Sequence, residues 1–153
     1  MARKAAADIY NADAEDEIML DGDAMGKGKP YFSFNDVGHS PNHKIIGYAV
    51  DEQGSEFYTI RFKNLETGET LPDEIANTYG SFVWGSNSDR IFWIERNDEG
   101  RPAAVHMYVL GSDGSTELYR EQDPGFFLGI SESQSGDYIF IGAGSHTTSE
   151  VHY

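Results

Sequence analysis

Ser40 lies in Gly38-His39-Ser40-Pro41-Asn42, the stretch nearest to the Gly-x-Ser-x-Gly elbow that presents a hydrolytic nucleophile. That elbow needs small residues on both sides, because only they permit its strained strand-to-helix turn. Pro41 and Asn42 break the pattern, and no serine in the chain has a glycine two residues away on each side. The candidate metal ligands are His39, His43, His106, His146 and His152. His39 and His43 are four apart, yet Pro41 between them opposes the helix that would aim both at one ion. Zero cysteines exclude disulfides and thiolate sites. Asp21-Gly22-Asp23 followed by Gly26 opens like a calcium loop, but Met25 stands where an oxygen ligand is required and Phe32 where the bidentate glutamate belongs. Asp13, Glu15, Asp16 and Glu17 form a charge run of the kind that is usually solvated. The chain is therefore expected to carry no catalytic, cofactor-binding or metal-ligating residues and to need no cofactor.

The elements that would hold such side chains are strands. From Ile18 onward, short β-branched and aromatic runs alternate with Gly, Asn, Asp and Ser clusters, and no sustained three-to-four spacing of apolar residues calls for a long helix. One helical turn is expected around residues 23–25, capped by Asp21 and ended by Gly26. Glu66-Thr67-Gly68-Glu69 and Gly111-Ser112-Asp113-Gly114 read as hairpin turns. Aromatics such as Phe82, Trp84, Phe92, Trp93, Phe126 and Phe127 lie on strand-like segments and suit core packing.

A repeat organises these strands. Ser40-Pro41-Asn42-His43-Lys44, Ser86-Asn87-Ser88-Asp89-Arg90 and Gln134-Ser135-Gly136-Asp137 are polar turns that each lead into an apolar strand, which makes Lys44, Arg90 and Asp137 equivalent at intervals of 46 and 47. His106 and His152 then occupy equivalent places on third strands. Four strands per roughly 40 to 50 residues is the period of a propeller blade. The expectation is an all-β partial β-propeller of four-stranded antiparallel blades, about two complete blades plus parts of two others. Residues 1–16 form a poorly structured acidic segment and 17–153 the propeller, with blades near 33–76, 79–121 and an incomplete 125–153. Residues 18–21 read as the outermost strand of a preceding blade. One twisted sheet cannot bury both its faces alone, so the chain reads as cut from something larger.

With 26 acidic and 11 basic side chains the formal net charge is -15, and the cations are scattered, so nucleic acid is excluded as a partner. No apolar run approaches a membrane span, and Asp8 interrupts any signal peptide before its apolar core. A cytoplasmic protein is expected.

Residues 37–44 and 48–60 resemble the first propeller blade of the oligopeptidase B (protease II) family within the prolyl oligopeptidase clan. Residues 64–73, Asp123-Pro124-Gly125-Phe126-Phe127 and Thr148-Ser149-Glu150-Val151 continue the likeness, which covers roughly 17–153. The resemblance implies a propeller seated over an α/β-hydrolase domain whose Ser-Asp-His triad follows it in sequence. It also implies cleavage of short peptides after Lys or Arg, with the propeller excluding folded proteins. No triad residue falls within these positions, so the chain alone is expected to be inactive. Its partners would be that catalytic domain and, for the whole enzyme, short basic peptides. A different class of reading is a stand-alone interaction module completed by self-association through exposed blade faces. An extracellular binding propeller is a third.

Overall fold

The computed structural model describes residues 1–3 and 11–153. The elements run β1 (Ala2–Arg3), β2 (Glu17–Ile18), α1 (Gly22–Gly26), β3 (Ser33–His39), β4 (Ile45–Asp51), β5 (Tyr58–Asn64) and β6 (Thr70–Trp84). They continue with β7 (Arg90–Arg96), β8 (Pro102–Val109), β9 (Ser115–Arg120), β10 (Phe127–Glu132), β11 (Ile139–Gly144) and β12 (Ser149–His152). The all-β expectation holds, with one short helix. Asp21 caps that helix by accepting from the Ala24 N–H at 3.0 Å, and the Lys27 N–H closes it on the Ala24 carbonyl. No helix among the described residues is long and apolar enough to cross a membrane.

Every strand pairing is antiparallel, and the sheets do not close. The first two blades share a strand. At 15 residues, β6 is far longer than the usual strand of about 5–6. Its first half pairs with β5 and its second half with β7, and the change of partner falls on Thr78, which faces Tyr58 on one side and Glu95 on the other. The Thr78 hydroxyl donates to the Tyr58 carbonyl at 3.0 Å and accepts from the Gly80 N–H at 3.2 Å, so the crossing is pinned by a buried side chain. Two left-handed residues, Asn77 at φ 59° and Gly80 at φ 100°, turn the strand there. A Cβ at Gly80 would lie 2.1 Å from Asn35 Nδ2, which makes glycine obligatory. The third sheet, β10-β11-β12, has no shared strand and packs through β10 against β6, β7 and β8.

The repeat is present, but its middle unit sits one residue earlier than the sequence pattern indicates. Ser40 N–H to Ile45 O, Gly85 N–H to Arg90 O and Ser133 N–H to Tyr138 O close the same turn at 2.8 Å in each blade. Each turn has its left-handed residue at the same step, His43, Ser88 and Gly136. Lys44 and Asp89 each accept from a leucine further on, Leu65 and Leu110. Lys44, Asp89 and Asp137 are therefore equivalent, with intervals of 45 and 48, and Arg90 belongs with Ile45. The slip arose because Gly85, not Ser86, occupies the place of Ser40 and Ser133. A one-residue error of this kind turns every assigned side chain to the wrong face of its strand.

With that register, burial follows the stacking. Ala49, Ile60, Phe62 and Ile75 of the first blade meet Phe82, Trp84, Ile91, Trp93 and Tyr108 of the second, which places three of the expected aromatics in the core. Ile94 and Val105 on the opposite face of the second blade meet Leu128 and Ala143 of the third, with Phe126 alongside. The remaining face of the first blade, Ile46, Tyr48 and Val50, is covered by Met19 and Leu20. Phe127 is an exception, since it is exposed beneath Arg101, whose guanidinium lies 4.7 Å from the ring centre. Of the segment 18–21, Ile18 lies in a strand, paired with Ala2. Of the acidic segment 1–16, residues 4–10, including Asp8, lie outside the described residues. The Met1 ammonium donates to the Leu20 carbonyl at 2.7 Å.

Candidate functional site

The residue-by-residue equivalence of the blades exposes one surface that differs from its counterparts. Gly142 and Val151 pair across β11 and β12 as Ile94 and Val105 do across β7 and β8, and as Ala49 and Ile60 do across β4 and β5. Ala49, Ile60 and Val105 are 0% exposed and Ile94 is 1% exposed, because each has a neighbouring blade over it; Val151 is 62% exposed. Around it Gly129, Ile130, Ser131, Phe140 and Gly142 line a hollow of about 550 Å³. The face is built of small and apolar residues with no charged side chain among them, which is the composition of an interface rather than of a solvated sheet. The outer edge of β12 is unpaired among the described strands, so its backbone groups are free for a further strand.

A second constellation lies on the second blade. Glu95, His106 and Glu117 stand on the three adjacent strands β7, β8 and β9, and their nearest ligand atoms all lie within 4.8 Å of one another. His106 Nε2 is 2.7 Å from Glu95 Oε2, and its ring stacks on Trp93 with centroids 4.6 Å apart. Arg120 donates to Glu95 Oε2 at 2.9 Å and to Glu117 Oε2 at 2.9 and 2.6 Å. Burial raises the Glu95 carboxyl, but the hydrogen bonds from Arg120 and His106 outweigh it and hold the group below the usual carboxylate range. The equivalence expected of His106 and His152 on third strands agrees with their pairing, since His106 faces Trp93 and His152 faces Ile141, and these facing residues each stand three after the close of their blade's turn. Sequence reading missed the carboxylates. The available signal was the equal spacing of 11 residues from Glu95 to His106 to Glu117, which two consecutive hairpins bring to one face, with Glu117 directly across from His106 and Glu95 diagonal to it.

The other singled-out residues have structural partners. Ser40 is buried, donates to Asn42 Oδ1 at 2.7 Å and accepts from the Ile45 N–H at 3.1 Å, so its hydroxyl staples a turn. His39 and His43 approach to 4.4 Å between ring centres, brought together by the turn rather than by a helix. Asp51 is 1% exposed and accepts from the N–H groups of Gln53, Gly54 and Glu56 at 2.7 to 2.9 Å. Burial raises its carboxyl, but the ring of backbone donors lowers it by more, leaving it depressed overall. Arg96 clasps the two blades, bonding the Glu56 carbonyl and Oε2 while lying over Phe57 and Tyr79.

Comparison with known proteins extends these observations to the whole chain. Residues 1–153 match the family model for the prolyl oligopeptidase N-terminal β-propeller domain. Dipeptidyl aminopeptidase BI of Pseudoxanthomonas mexicana is 36% identical over 141 residues, covering 90% of this chain and 20% of the relative. Protease 2 of Moraxella lacunata is 35% identical over 154 residues, covering 98% of this chain and 22% of the relative. The solved structure of oligopeptidase B from Leishmania major superposes with a TM-score of 0.86 at 28% identity, over 92% of this chain and 21% of that one. The chain thus spans about a fifth of the length of the proteins it matches.

Proposed function

The chain belongs to the prolyl oligopeptidase N-terminal β-propeller family, and from that premise we propose that it is the non-catalytic propeller segment of a cytoplasmic serine oligopeptidase that cleaves short peptides after Lys or Arg. Its blades, taken as 33–76, 79–121 and 125–153, would cover an α/β-hydrolase active site supplied by the rest of the enzyme and admit only short, unfolded peptides. No residue of this segment performs the acyl-transfer chemistry, which needs a serine, its histidine base and an orienting carboxylate. The observation that carries the reading is the face of Phe140, Gly142 and Val151, apolar and uncovered where the equivalent positions of the other two blades are sealed.

The test is a pair of measurements. The chain alone, incubated with a chromogenic arginine amide, is expected to give no turnover above blank. Exchanged for the matching N-terminal segment of the Moraxella protease, it is expected to give an active chimera that cleaves the amide and a short basic peptide but spares a folded protein. Turnover by the purified chain, or a chimera that digests folded proteins as readily as peptides, would overturn the proposal.

The same uncovered face and the unpaired edge of β12 favour a second reading, a module that completes itself by pairing with copies of itself. Light scattering after size exclusion discriminates. A defined oligomer dispersed by Val151→Lys supports self-association, and a monomer removes it.

A further inference from the structure

Blade equivalence singles out one position at which a basic side chain type stands in all three blades. Arg61, His106 and His152 occupy the same place on the third strand, opposite Tyr48, Trp93 and Ile141. In the first blade Arg61 meets Glu74, which faces it across β6, and Glu52 from the preceding loop. In the second blade Glu117 takes the place of Glu74, directly across from His106. Glu95 is added from β7, where the first blade has Val50. A permanently charged arginine therefore satisfies this place in the scaffold, and folding alone does not call for an imidazole flanked by two carboxylates. In the third blade His152 lies 3.4 Å from Glu150 of its own strand and against the Tyr119 ring, with centroids 4.8 Å apart.

We propose that Glu95, His106 and Glu117 form a binding site for a divalent first-row transition cation of the Zn²⁺ class, which enters by displacing the guanidinium of Arg120. One imidazole nitrogen and two carboxylate oxygens are a ligand set suited to such ions and unsuited to Ca²⁺, which takes oxygen alone. Three ligands from three hydrogen-bonded strands are held at fixed spacing, as a rigid site requires. His106 is further oriented by its stack on Trp93, whose indole N–H is itself tied to Ser115 Oγ at 3.1 Å. The 2.7 Å contact between His106 Nε2 and Glu95 Oε2 must open to about 3.4 Å for tetrahedral bonds of about 2.1 Å, a change within the reach of side-chain rotation.

Arg120 is the gate. It ends β9 with its side chain 42% exposed, and Glu117 is 44% exposed, so the guanidinium can swing into water and leave an open path to the carboxylates. Two carboxylates and a neutral imidazole carry two negative charges. Arg120 neutralises one of them, whereas a divalent ion neutralises both. The bound ion would tie β7, β8 and β9 together near the seam with the first blade.

Trp93 supplies the readout, because a paramagnetic ion on His106 quenches an indole stacked at this distance. The untagged full chain is titrated with Ni²⁺ while tryptophan emission is followed, and Zn²⁺ is then added to compete the quench away. Saturable quenching is expected. His106→Gln and Glu117→Gln are each expected to weaken it by about tenfold or more, and Arg120→Gln to tighten it. Saturable quenching of the unsubstituted chain, lost in His106→Gln and Glu117→Gln, is the decisive outcome, and tightening in Arg120→Gln shows that the guanidinium competes with the ion for the same carboxylates. Calorimetry with Zn²⁺ on the Moraxella chimera, whose own peptidase activity reports its folding, repeats the comparison with the same three variants. An absence of saturable binding by the unsubstituted chain up to about 1 mM Ni²⁺, or binding that His106→Gln leaves unchanged, overturns the proposal.

Discussion

The seam between the first two blades and the outer face of the third are built from the same strand positions, yet one is a sealed core and the other is open. At the seam, Phe62 stands edge-on to Trp84 with ring centres 5.8 Å apart, and Gly47 lets the Phe82 ring approach so closely that a Cβ would lie 2.9 Å from it. Polar stitches reinforce the packing: Trp84 Nε1 donates to the Gly38 carbonyl at 2.9 Å, and the Asn42 N–H donates to Ser88 Oγ at 3.0 Å. On the open face the place of Gly47 is taken by Phe140, half-buried, and the place of Ala49 by Gly142, whose added Cβ would meet only the Gly129 carbonyl at 4.0 Å. The difference teaches that blade sequence prescribes a face for covering, while the cover itself comes from a neighbour.

The sharpest way to break this contrast is to cut an apolar side chain back to alanine on each side of it. Phe62→Ala at the seam is expected to destabilise by about 3–5 kcal/mol, the cost of emptying an aromatic site in a core. Val151→Ala on the open face is expected to change stability by about 0.5 kcal/mol or less. Denaturant melts of the two variants make the comparison, and similar losses would mean that the open face is already buried in solution. Filling rather than emptying should give a smaller gap. Gly47→Ala overpacks the Phe82 ring and is expected to cost about 1–3 kcal/mol, with Gly142→Ala nearly neutral. The electrostatic contribution at the surface of the first blade is small as well, with Glu52→Gln, which loses Arg61 and Lys29 as partners, expected to cost about 1 kcal/mol or less.

Acid sharpens the comparison in another way. Hydrogen bonds from Arg61 and Lys29 hold the Glu52 carboxyl down, and Asp51 and Glu95 are depressed as described above. A folded-state value below the unfolded one means that the unfolded chain takes up protons first. The stabilisation is therefore complete above the unfolded carboxylate range, about pH 4, and is lost as the pH falls through the lower folded values. Both tryptophans, Trp84 and Trp93, sit in the seam. Their emission against pH should hold to about pH 4 and then shift to that of exposed indole, and a transition at higher pH would contradict the assignment.

Much of this was legible in the chain before any coordinates. Turns such as Asn64 to Gly68, where Asn64 Oδ1 accepts from Glu66 and Thr67, announce themselves because their chemistry is local. The helix cap at Asp21 was legible for the same reason. What failed were quantities that depend on register. Asn77-Thr78-Tyr79-Gly80 reads as a break between two strands, whereas Thr78 carries one strand across it. The serine of Ser86-Asn87-Ser88 drew the middle repeat forward by one. The carboxylates beside His106 could not be found without knowing how two hairpins align, since no short motif contains all three residues.

A strand held in common by two sheets denies them any sliding or hinging relative to one another, because motion at their junction would have to tear the ladder on one side of Thr78. The third sheet is joined to them by chain and side chains alone, through the stretch 121–126 in which Glu121 accepts the amides of Gln122 and Asp123. Amide hydrogen exchange should accordingly report β3 to β9 as one slow, cooperative body and β10 to β12 as a faster one. Relative motion among these three blades is thereby confined to this later joint.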